Sequence, residues 1–94
     1  MPVQLISILK VAHSLLSHYS GGYSNHFMSA EEFSNALLQV IESLEKHDET
    51  ALDLVFLWFC PTSDWDDFSG NEGFTIGNEI FEIVKSYARM GKNF

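Results

Sequence analysis

Asp48-Glu49-Thr50-Ala51-Leu52-Asp53-Leu54-Val55-Phe56-Leu57-Trp58-Phe59-Cys60-Pro61 is the stretch on which the fold class turns. At helical spacing Asp48 is a cap, Glu49 lies in the first turn, and Ala51, Leu52, Val55, Trp58 and Phe59 share one face. Pro61 then disfavours helical geometry at Cys60 and ends the element. Leu54, Phe56 and Leu57 would fill most of the other side, which makes this the central, most buried helix. The alternative is a buried strand, because Leu54 to Phe59 is short, aromatic and β-permissive. We adopt the helix over residues 48–60 and keep the strand as its rival.

Upstream, Leu5, Ile8, Leu9, Ala12, Leu15, Leu16 and Tyr19 recur at intervals of three and four, so residues 3–20 form an amphipathic helix. Gly21-Gly22 supplies the left-handed backbone that ends it, and Tyr23 to Met28 connects to the next element. Ser29-Ala30-Glu31-Glu32 has the form of a capping box, in which the Ser29 hydroxyl accepts a helix-start amide and Glu32 reaches back to the amide of Ser29. Phe33, Leu37, Val40, Ile41 and Leu44 continue the spacing to Lys46-His47, giving a helix over 29–46.

Downstream, Thr62 to Phe74 has no helical period and is expected to be a long acidic and aromatic loop. Thr75 is a plausible cap for a last helix over 75–90, whose stripe is Ile76, Ile80, Ile83, Val84 and Tyr87. Lys85, Arg89 and Lys92 suit its C-terminal end, and Gly91 stops it. Gly77 in its first turn weakens the helix relative to Ala, which implies that backbone or a bulky aromatic packs close to it. The expectation is a single all-α domain over 1–94, a compact bundle of about four helices with the long loop before the last.

The chain has 94 residues, 46% hydrophobic and 14% aromatic, which is too apolar for a disordered acidic tail despite a net charge of -8. From His47 to Val84 there is no Lys or Arg, while nine carboxylates stand there: Asp48, Glu49, Asp53, Asp64, Asp66, Asp67, Glu72, Glu79 and Glu82. Such a surface is repelled by phosphate backbones and by anionic membranes, so nucleic-acid and membrane binding are not expected and a basic protein is the natural complement. The densest apolar run, Leu54 to Cys60, is far short of the roughly 20 residues a membrane span requires. The N-terminus lacks the positive leader of a secretory signal, and the single cysteine, Cys60, gives no internal disulfide; both agree with a cytoplasmic protein.

No catalytic, metal or cofactor site is read from the sequence. Asp64, Asp66, Asp67 and Glu72 could in principle supply an acid–base pair, but a small helical unit has little room to bury the cleft such a pair needs. Taken as a calcium loop from Asp64, the fifth position is Phe68, the sixth Ser69 and the twelfth Thr75, so the ligand spacing fails. His13, His18, His26 and His47 form no paired metal motif, and Cys60 beside Trp58 and Phe59 reads as an inert core residue. Gly70, Gly73 and Gly77 are turn punctuation and not a phosphate loop. What remains is a recognition surface: Asp64, Trp65, Asp66, Asp67, Phe68, Glu72 and Glu79 combine charge with aromatic anchors, and the three clustered aspartates gain little in a monomer unless they cap helices or meet a cation. Trp65 is equally suited to anchoring the loop itself or a partner.

Trp58-Phe59-Cys60-Pro61-Thr62-Ser63-Asp64-Trp65-Asp66-Asp67-Phe68, followed by Gly73 and Gly77-Asn78-Glu79-Ile80, resembles the small acidic immunity proteins of bacterial polymorphic-toxin and contact-dependent growth inhibition systems. The resemblance implies a cytoplasmic non-enzyme, a monomer or weak dimer, that binds one cognate basic toxin domain, often a nuclease, and covers its active site or an essential surface. The rival expectation is an acidic helical adaptor or homodimerising module without a toxin partner.

Overall fold

The computed structural model describes residues 3–24, 26–60 and 63–89. The chain forms α1 (Val3–Leu16), α2 (Ala30–Glu45), α3 (Ala51–Phe59), α4 (Asp64–Ser69), a 3-10 turn (Gly70–Gly73) and α5 (Phe74–Arg89), with no strand among the described residues. The all-α architecture holds, and the strand alternative for Leu54–Phe59 falls. α1 lies against α2 and α5, α3 against α5 and α2, and α4 rests on α3 and α5. The radius of gyration is 12.3 Å, against about 12 Å for a folded chain of this length.

The expected apolar faces are the ones buried. α2 buries Phe33, Leu37, Val40, Ile41 and Leu44, and α3 buries Ala51, Leu52, Val55, Trp58 and Phe59. α1 turns in Leu5, Leu9, Ala12 and Leu16, with Ile8, Leu15 and Tyr19 half-buried beside them. Phe33 is the hub of the aromatic core: Phe27 stacks on it at 4.6 Å, and Trp58, Phe59, Trp65 and Phe68 close around it at 5.6 to 6.4 Å between ring centroids.

Several local expectations need correction. α3 starts at Ala51 and not at Asp48, because Asp48 spends its side chain on a turn, with Oδ1 accepting from the amide and hydroxyl of Thr50. α3 has the largest buried share of any helix among the described residues, five of nine, as expected, but its other side is not filled: Leu54 is 42% and Leu57 41% exposed, and Phe56 is half-buried against Phe81 at 5.3 Å. α1 ends at Leu16, four residues early, and Gly21 and Gly22 then take φ of 69° and 73° in the connection and not at a helix end. In the α2 capping box Ser29 Oγ accepts from the Glu32 amide as expected, but Glu32 Oε1 takes the amide of Met28, one residue before Ser29. α2 closes with a Schellman arrangement in which His47 takes the left-handed position usually given to glycine, at φ 65°. Its amide donates to Leu44 O and the Asp48 amide to Ser43 O. α5 begins at Phe74, one residue before the expected cap. The breaks assigned to Pro61 and Gly91, the side chains of Tyr87 and Arg89, and all of Lys92 lie outside the described residues.

Candidate functional site

The segment expected as an unconstrained loop is folded. Ser63 is extended, Asp64, Asp66 and Asp67 occupy the first turn of α4, and carboxylates there complement the helix dipole. Ser63 Oγ donates to Leu57 O at 2.6 Å, tying the start of α4 to the end of α3. At its other end Ser69 Oγ donates to Trp65 O, and Gly70 turns the chain at φ 53° into the 3-10 segment.

This corrects the assignment of Trp65 as a partner anchor. Its side chain is 1% exposed, stacks on Phe59 at 5.0 Å and donates Nε1–H to Gly73 O at 2.9 Å. Of the two anchoring roles open to it, it fills the internal one. The expectation of a close aromatic at Gly77 is met by this same indole, since a Cβ there would stand 2.5 Å from Trp65 Cδ1.

Asp64 is likewise inside and not partner-facing. Oδ1 accepts from the Ser24 hydroxyl and from the His26 amide at 3.1 Å, and Oδ2 lies 2.5 Å from His26 Nδ1. Desolvating a carboxylate requires such donors, and in this acidic neighbourhood the connection between α1 and α2 provides them. Phe68 is half-buried against Phe33, its ring beside Gly22. Asp66 is half-buried, whereas Asp67, Glu72 and Glu79 are exposed. Glu79 stands apart from the α4 corner, lining a shallow groove with Gln4, Asn78, Glu82 and Ile83. Glu72 comes close to Tyr19, whose hydroxyl is shut off from solvent without a hydrogen-bond partner at bonding geometry. Burial first, then the Glu72 carboxylate, holds that phenol above its ordinary pKa.

The residues that Asp64 gathers belong to the connection over 20–29, which sequence reasoning passed over. Its ends are closed by Ala30 N–H to Gly21 O at 2.8 Å and Gly21 N–H to Glu31 Oε1 at 2.9 Å. That second bond leads the causes that hold the Glu31 carboxyl below the usual carboxylate range. Inside the connection Ser24 N–H donates to Phe27 O at 2.8 Å; Phe27 enters the aromatic core, while Tyr23 and Met28 are 80% and 78% exposed. The one sequence signal was Tyr23, Phe27 and Met28 standing between Gly-Gly and a capping box, more apolar bulk than a connector needs.

No group of three or more His, Cys, Asp or Glu side chains that could hold a metal ion occurs among the described residues. Cys60 is half-buried with its thiol on Leu57 O. A groove of about 360 Å³ runs between α2 and α3, lined by Ala36, Val40, Leu54 and Trp58 with Asp48 and Thr50 at one end. No helix among the described residues is long and apolar enough to cross a membrane. Comparison with protein-family models, with curated proteins and with solved structures finds no match.

Proposed function

We propose that this chain is an immunity-type binding protein that neutralises a cognate bacterial toxin domain, best matched by a nuclease, by covering its basic active site or an essential surface. The observation that carries the reading is the run from His47 to Val84, which holds nine carboxylates and neither Lys nor Arg. Of these, Asp48, Glu49, Asp53, Asp67, Glu72, Glu79 and Glu82 are exposed. A nuclease must attract a polyanion and so carries a positive cleft, and an acidic protein is drawn to such a cleft by long-range attraction. The partner-facing set is narrowed to Asp67, Glu72 and Glu79, with Asp66 at its edge; Asp64, Trp65 and Phe68 support it from within. The work is done in the cytoplasm, where such a toxin acts, and it involves no catalysis.

The rival reading, a self-associating helical adaptor, is favoured by Leu54 and Leu57, exposed one turn apart on α3, with Leu54 lining the α2–α3 groove. Co-expression with a basic nuclease toxin domain from a neighbouring reading frame tests the first reading: growth should be rescued, and the purified pair should associate more slowly as salt is raised. A chain that neither rescues growth nor binds, but sediments as a dimer, would establish the rival.

A further inference from the structure

The Ser24–Phe27 hydrogen bond closes the turn at 24–27, and both of those side chains go inward, Ser24 to Asp64 and Phe27 onto Phe33. Tyr23 and Met28, the next residue on either side, are by contrast 80% and 78% exposed. They are not held there by packing. What holds the backbone beneath them is a set of buried or bridging carboxylates: Asp64 on the Ser24 hydroxyl and the His26 amide, Glu31 on Gly21 N–H and Glu32 on Met28 N–H. The outcome is an aromatic ring and a thioether displayed beside backbone that is tied at Gly21, Ser24, His26 and Met28 before any partner arrives, and such preorganisation lowers the cost of binding.

The surroundings specify the partner's charge. Glu31 and Glu32 border the connection at the start of α2; α4 borders it on the other side, where Phe68 meets Gly22 and Asp67 is exposed. Glu72 lies beyond, at Tyr19. Between Lys10 and Lys46 the sequence has no Lys or Arg at all. Tyr and Met are among the residues enriched at interface centres, and polar groups at their rims.

We infer that Tyr23 and Met28 are the apolar centre of the partner-binding surface, and that they insert into an apolar pocket ringed by Lys and Arg on a basic protein. This rests on the proposed function for the partner's nature and moves the anchor from Trp65 to the 20–29 connection. Asp67, Glu31, Glu32 and Glu72 form the rim that steers the encounter, while Tyr23 and Met28 set the lifetime of the complex.

The test uses the full chain and the basic nuclease toxin domain used in the co-expression test, in an inactivated form, with binding kinetics at two salt concentrations. Tyr23→Ala and Met28→Ala should each weaken binding by about 30-fold, mainly through faster dissociation, as expected for central anchors. Because both side chains are exposed, their unfolding midpoints should match the parent's, so a loss of binding is not a loss of fold. A parent that binds while both variants bind equally well overturns this inference and leaves the proposed function standing. A parent that does not bind overturns both. A parent that dimerises, with the dimer lost in Tyr23→Ala, shows that the surface is taken by a second copy and likewise overturns the inference.

Discussion

The indole of Trp65 occupies the space that Gly77 leaves open. A Cβ on Gly77 would stand 2.5 Å from Trp65 Cδ1 and 2.6 Å from Nε1, closer than any side chain tolerates. Two residues twelve apart in sequence thereby lock α4 onto the first turns of α5. Gly73, whose carbonyl receives the indole N–H, is under the same restriction, its would-be Cβ meeting Trp65 Cζ2 at 2.7 Å.

Gly77→Ala should therefore destabilise the protein, although the same change in a free helix would stabilise it. Overpacking of this kind typically costs about 1–3 kcal/mol, against a helix-propensity gain of up to about 1 kcal/mol. Denaturant unfolding decides the matter, and a variant more stable than the parent would show that the Trp65 seat yields.

Asp64→Ala should cost about 2–3 kcal/mol, the range for hydrogen bonds to a charged group whose donors are left behind. The damage should be local as well as global. Hydrogen exchange at the His26 amide, which donates to Asp64, should speed up in the variant; unchanged exchange there would mean that the connection is held without the carboxylate.

His47→Gly should raise stability by about 0.5–1 kcal/mol, since a residue with a Cβ is strained at the left-handed position it occupies. Thermal melting of the two proteins is sufficient. A fall in stability would mean that the imidazole contributes more at this site than its backbone strain removes.

The Glu31 carboxyl titrates below its ordinary range, chiefly through the Gly21 amide. A depressed folded-state pKa contributes stability that is present above the unfolded carboxylate pKa and is lost as pH falls through the folded value. Stability measured from neutral pH downward should thus fall less steeply for Glu31→Gln than for the parent across that acidic window. Identical slopes would remove Glu31 as a tie on the connection.

The long helices were legible because three-four spacing is a local signal repeated many times: every residue assigned to the α2 and α3 faces is buried. α4 was missed because six residues are too few to show a period, although Ser63 followed by Asp64, Asp66 and Asp67 has the composition of a helix start. The burial of Asp64 had no local signal of any kind. Its donors come from residues 24 and 26, some forty positions away, and a carboxylate satisfied at that distance cannot be told from a solvated one by its neighbours. The exposure of Leu54 and Leu57 was hidden for a related reason, since an apolar run states how much could be buried and not how much neighbouring elements exist to cover it.

The clamp on residues 20–29 also has a consequence for how the protein is made. During synthesis α1 and α2 can pair as soon as they leave the ribosome, and Glu31 and Glu32 can then tie the connection at Gly21 and Met28, but Ser24 and His26 have no carboxylate to close on until residue 64 has emerged. Until then the ties at Ser24 and His26, between Tyr23 and Met28, are missing. A nascent or prematurely terminated chain would possess both N-terminal helices and still lack the ordered display, so competence to engage a partner is acquired only when most of the polypeptide has been delivered.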